Sequence, residues 1–202
     1  LRAQLRFRSA MERLAAAGVP VFVSQGNHDP ASGWSAGLDL PETVHYFPTD
    51  RVGRFEVADE GGSGGRVRAA IYGRGYATAA VTENLAAGFA RDAADPLAIG
   101  VLHANVGGQA DYEPYAPCST DDLKAAGMDY WALGHIHKPM QLSADPPIRY
   151  AGSPQGLNPK EDGPHGCWVV TLDRSAVAEE FVETTPFGQG AQDLQFRAGQ
   201  RL

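Results

Sequence analysis

The sequence predicts an α/β fold with two sheets, and three observations lead there. Helical patterns alternate with short apolar runs rich in β-branched residues, a succession that builds sheets flanked by helices. Further β-like stretches follow one another without intervening helices, which asks for a second sheet against the first. The 202 residues, 43% of them apolar and two of them cysteine, can fill one core without disulfide staples.

The elements follow in order. In the segment 1–17, Phe7, Ala10, Met11 and Leu14 fall on one helical face and Arg2, Arg6, Ser9 and Arg13 on another, and Gly18 reads as a left-handed cap. The segment 20–24 is a short buried strand that opens into a glycine-bearing loop, 25–40. Segments 43–47, 52–57 and 67–72 read as strands, the last two joined across a Gly/Ser-rich hairpin tip at 59–65. A short helix is predicted from Thr82 to about Arg91. Segment 97–103 is an apolar strand that ends in His103, and Ser119 with Asp122 has the spacing of a capping box for a helix that stops at Gly127. Another buried strand, 130–133, delivers Gly134-His135-Ile136-His137. Segments 149–151, 167–173 and 177–184 complete the β content. One domain is therefore expected over 1–184, with 185–202 a weakly patterned tail or the start of a C-terminal cap.

Composition narrows the function. Seventeen basic against 24 acidic residues give a net charge of −7, which argues mildly against autonomous binding of a nucleic-acid duplex. No window approaches the roughly 18 apolar residues of a membrane span, and no leader pattern is visible. With two cysteines, Cys118 and Cys167, the expected address is the reducing cytoplasm.

Three separate places put metal-capable side chains at the C-terminal ends of predicted strands: Asn27-His28-Asp29, His103, and His135 with His137. Ligands of open α/β sheets gather at such ends, so the three clusters are expected to converge on one crevice. Each signal alone has an ordinary explanation. Asn and Asp form turns, and histidine also serves as a polar group satisfied within a core. Their conjunction, four of the six histidines on glycine-flanked loops, points to a metal centre. The two other histidines read as ordinary: His45 would pack or face solvent, and His165 lies in the turn 162–166. Gln155 and Asn158, after the Gly152-Ser153-Pro154 turn, would touch a bound ligand or simply form a turn, and Lys138 would contact that ligand or be solvated. Trp34 and Tyr112 would stack a base or cover the core edge.

Gly26-Asn27-His28-Asp29, the later strand-end His103, and Gly134-His135-Ile136-His137 resemble the third, fourth and fifth motifs of the calcineurin-like dinuclear metallophosphoesterases. The flanking stretches 101–108, 129–138 and 150–156 are similar to the family's DNA-repair exonuclease branch, which includes the bacterial SbcD-like nuclease subunits. The resemblance covers roughly residues 1–173. It implies an α/β/β/α sandwich of two mixed sheets flanked by helices, here expected to be N-terminally truncated. Asn27, His103 and His135 would bind one metal of a pair and His137 the other. His28 would face the scissile phosphate, and Asp29 would hold the His28 ring in its useful tautomer. Two divalent ions, manganese first, with iron, zinc or magnesium as alternatives, would clamp phosphate oxygens and convert a bridging water to hydroxide. No cysteine is expected among the ligands.

The resemblance further implies hydrolysis of DNA phosphodiesters by an exonuclease or endonuclease, an ABC-type ATPase partner and a possible homodimer, while the hydropathy pattern leads to the expectation of no membrane partner. The alternatives are a phosphoesterase acting on small nucleotides or phosphoproteins, and a non-catalytic scaffold that retains the motifs. The family's Asp-x-His and Gly-Asp-x-x-Asp motifs are not found in the chain. On this reading they would precede Leu1, and the 202 residues alone would hold one metal weakly and show little activity.

Overall fold

The computed structural model describes residues 2–32, 38–59, 65–156, 161–173 and 176–184. The readings made for Trp34, Asn158 and the segment 185–202 lie outside them. The described elements are α1 (Arg2–Ala16), β1 (Val21–Val23), β2 (Val44–Tyr46), β3 (Gly53–Ala58), β4 (Val67–Arg74), β5 (Ala98–His103), α2 (Thr120–Ala125), β6 (Tyr130–Gly134), β7 (Met140–Ala144), β8 (Pro147–Tyr150), β9 (Gly166–Leu172) and β10 (Val177–Glu183).

The predicted α/β class holds. Its β content forms a six-stranded mixed sheet ordered β3-β4-β5-β6-β8-β7 and two two-stranded pieces, β1-β2 and β10-β9. Strands β4, β5, β6 and β8 run parallel, while the edge strands β3 and β7 pair antiparallel with their neighbours. The parallel centre is close to continuously apolar, as burial on two faces requires. Ala98, Leu102, Trp131, Leu133, Ile148 and Tyr150 are all at most 1% exposed. Gly100 lies flat against Trp131, and a Cβ there would stand 2.4 Å from the indole ring. The Trp131 Nε1–H donates to the Leu123 carbonyl at 3.0 Å and so ties α2 to the sheet.

The parallel β1-β2 pair joins the sheet through aromatic contacts. Phe22 stacks on His45 at 5.2 Å, and both rings meet Phe55 of β3. His45 is thus a packing residue, as expected. The antiparallel β9-β10 ribbon is fastened to β8: Arg149 pairs with Glu179 and lies 4.8 Å over the Trp168 ring. Among the described residues no helix is long and apolar enough to cross a membrane.

Local signals held where a cap or glycine enforces them. The Ser119–Asp122 capping box is present, and Gly18 closes α1 at φ +69°. Asp59 N–H donates to the Arg66 carbonyl at 3.0 Å and continues the pairing of β3 with β4, while residues 60–64 of the expected hairpin tip lie outside the described residues. Two readings need correction. The helix expected over 82–91 is a single 3-10 turn, Leu85–Gly88, capped by Asn84, because Phe89 turns extended and packs on Trp131 at 5.0 Å. Strand β7 had been missed, since Met-Gln-Leu-Ser-Ala has no β-branched residue and lies between prolines. It forms an edge of the sheet, where such a sequence is tolerated.

Candidate metal centre

The loop after β1 and the ends of β5 and β6 meet at one place. Strands β5 and β6 are parallel neighbours with His103 in register with Gly134, so their last residues lie side by side. His103 and His135 have ring centroids 5.0 Å apart. Asn27 arrives from the β1 loop with its Oδ1 2.8 Å from His103 Nε2. Asn27, His28, His135 and His137 line a cleft of about 530 Å³ together with Tyr112 and Tyr115, whose rings lie 5.8 Å and 6.1 Å from that of His135.

Glycines make this approach possible. A Cβ at Gly26 would stand 2.4 Å from His103 Nδ1, and one at Gly134 would stand 3.0 Å from the same atom. The two motifs therefore each begin with glycine for one reason: the His103 imidazole lies against both backbones. His135 follows at φ +100°, a left-handed conformation that costs a non-glycine residue on the order of 1–3 kcal/mol. The surrounding contacts hold it there.

The nitrogen chemistry can be read from the partners. The His135 Nε2–H donates to the Glu113 carbonyl at 2.8 Å, and since a carbonyl only accepts, the Nδ1 of the neutral ring keeps its lone pair. Burial lowers the pKa of His135 and pushes that of His103 down to about 3, with the His135, His28 and His137 imidazoles adding to the effect on His103. Both rings are neutral at physiological pH, the form in which imidazole ligates a metal.

Among the described residues, no three His, Cys, Asp or Glu side chains stand close enough to form an ion site of their own. Asn27 Oδ1 and His103 Nε2 meet at 2.8 Å in a hydrogen bond that Nε2–H donates and the amide oxygen accepts, and an ion held by both would take the place of that proton. Oxygen and nitrogen donors of this kind suit Mn, Fe, Zn or Mg. With a lone pair on His135 beside them, the residues present fit a divalent ion. Cys118 and Cys167 are free thiols that do not line the cleft, and burial pushes the Cys118 thiol up to about 12.

Asp29 has a different partner from the one expected. Its Oδ1 accepts from the Gly26 N–H at 2.9 Å, and among the described hydrogen bonds none joins it to His28. Here Asp29 shapes the turn that presents Asn27, as a carboxylate three residues after a free N–H commonly does. His28 is exposed in the cleft, while Gln155 and Lys138 are exposed surface residues.

No family model matches the chain. YhaO of Bacillus subtilis (strain 168), an uncharacterized metallophosphoesterase, is 40% identical over 182 residues, 90% of this chain and 44% of that protein. The chain is a homologue of a metallophosphoesterase. It spans less than half the length of that relative.

Two supporting residues of the metallophosphoesterase homologue were not singled out from sequence. Asn105 is 1% exposed, and its amide donates to the carbonyls of Gln109, Tyr112 and Glu113 while its Oδ1 accepts from Gln109 N–H at 2.7 Å. It therefore shapes the loop whose Glu113 carbonyl orients His135. Replacing Asn105 by Ala is expected to cost about 1–3 kcal/mol through unsatisfied buried groups. Urea denaturation checks this, and an unchanged midpoint would show that water replaces the amide. The second residue is Glu161, whose Oε1 lies 2.8 Å from His137 Nδ1.

Proposed function

We propose that the protein hydrolyses phosphodiesters at a centre of two divalent metal ions, with DNA ends as substrate. The observation that carries this reading is the 2.8 Å meeting of Asn27 Oδ1 and His103 Nε2 beside His135, at the C-terminal ends of adjacent parallel strands. Homology to a metallophosphoesterase supports the reaction class. The proposal concerns the protein at full length.

Asn27, His103 and His135 would hold one ion and His137 the other. When bound, the pair supplies Lewis-acid stabilisation of the phosphoryl oxygens and lowers the pKa of coordinated water. The chain's own residues supply the rest. His28, exposed in the cleft, faces the substrate and delivers a proton to the leaving oxygen. Tyr112 and Tyr115 line the same cleft, and aromatic rings there would offer a surface for a base or sugar. Asp29 keeps the Asn27–His28 turn in shape through Gly26.

With manganese, the protein should degrade linear DNA and spare p-nitrophenyl phosphate, and chelation with EDTA should abolish the activity until metal is returned. The opposite substrate preference would move the assignment to small nucleotides or phosphoproteins. Hydrolysis of neither by metal-loaded protein would leave a scaffold. Copurification of an ABC-type ATPase and a dimeric mass would extend the same proposal to its partners.

A further inference from the structure

Glu161, shortly before β9, meets His137. Glu161, with a side chain 13% exposed, puts Oε1 2.8 Å from His137 Nδ1. The segment carrying it is fixed in turn. His165, 8% exposed, places Nε2 3.1 Å from the Glu161 carbonyl and Nδ1 3.0 Å from Ser153 Oγ. A carbonyl only accepts, so His165 Nε2 carries the proton and its Nδ1 accepts from the Ser153 hydroxyl. Ser153 N–H donates to the His137 carbonyl at 2.9 Å and closes the circuit. The ribbon anchors it from outside, through Thr184 N–H to the His165 carbonyl and Thr184 Oγ1 to the Pro154 carbonyl at 2.7 Å.

Two glycines admit these contacts. Gly152 has φ +75°, and a Cβ there would stand 3.1 Å from the His137 carbonyl, while one at Gly156 would stand 2.9 Å from His165 Nε2. Ring, carboxylate and backbone are thus held together by four residues from two segments. His165, an ordinary turn residue to the eye reading the sequence, is part of this brace.

We propose that Glu161 is a positioning residue for His137: its carboxylate keeps the proton on Nδ1 and leaves the Nε2 lone pair as the ligand for a divalent cation. The inference rests on the metal-centre reading above. A carboxylate behind an imidazole both fixes the ring's orientation and raises its basicity, and removing such a partner commonly weakens metal binding about 10- to 100-fold. Residue 113 does the same for His135 with a backbone carbonyl. The two histidines of His135-Ile136-His137 are therefore held through opposite nitrogens, Nε2 for the first and Nδ1 for the second.

Long-range 1H–15N spectra of the metal-free chain test the inference directly. His137 should be the Nδ1–H tautomer, and Glu161→Ala should shift it toward the Nε2–H form that a free imidazole prefers. Calorimetric titration of the full-length protein with manganese should show affinity falling 10- to 100-fold in Glu161→Ala, with Glu161→Gln recovering part because its amide oxygen still accepts from Nδ1–H. An unchanged tautomer in Glu161→Ala overturns the proposal even if metal binds. If Glu161→Ala does not fold, Glu161→Gln carries the test, and unchanged manganese affinity in it overturns the proposal. A wild-type protein that binds no manganese overturns the metal-centre reading instead, and the tautomer result then still decides the role of Glu161.

Discussion

Replacing His28 by Ala is expected to lower turnover of DNA about 10²- to 10⁴-fold, the usual contribution of a positioned proton donor. Bound metal should not change, because Asn27, His103, His135 and His137 are untouched. The substrate series makes the expectation sharper. A p-nitrophenolate leaving group needs little protonation, so His28→Ala should lose much less on bis-p-nitrophenyl phosphate than on DNA. Equal losses on both would show that His28 stabilises charge on the phosphoryl group and donates no proton. A parallel loss of metal, measured by elemental analysis, would make it a ligand.

A second large effect is expected far from the cleft, at Asp95, whose side chain is 2% exposed in the turn before β5. Arg54 holds both carboxylate oxygens, with Nε 3.0 Å from Oδ2, and the Tyr72 hydroxyl donates to Oδ2 as well. The Arg54 guanidinium holds the Asp95 carboxyl below its ordinary value. Asp95→Ala leaves a guanidinium and a phenol without their acceptor, and should cost about 3 kcal/mol, at the low end for a broken buried pair because Arg54 still reaches water and Glu56. The pH dependence follows from the lowered pKa. Folding is stabilised by the ionised form at every pH above the unfolded value of about 3.9, and that contribution fades as pH falls through the folded pKa below it. The gap between wild type and Asp95→Ala in urea should therefore be constant from pH 7 to about pH 5 and close below about pH 4. A gap that persists at low pH would mean that packing, not charge, is what Asp95 contributes.

Much of the site was legible because its residues announce themselves locally. Strand ends, glycines and metal-capable side chains follow one another in sequence, and the parallel register of β5 and β6 then sets His103 beside Gly134. What could not be read depends on distance along the chain. Glu161 lies 24 residues from His137, and nothing in Lys160-Glu161-Asp162 distinguishes it from a solvated charge. Asn105 falls within the stretch 101–108 that carries the resemblance, but that its one amide would organise three carbonyls is a property of the closed loop. Asp29 adds a contact that no analogy supplied, since its Oδ1 accepts from the Gly26 N–H of its own loop. The short segment 82–91 failed because a capping residue predicts where a helix starts and says little about whether tertiary contacts let it continue.

The contact of Gly26 and Gly134 with one imidazole makes three positions mutationally interdependent. Alanine at either glycine should be tolerated poorly beside His103 and better beside a small residue there, so the substitutions will not be additive. Gly26, His103 and Gly134 thus behave as one packing unit, whose coupling a double-mutant cycle in stability would measure.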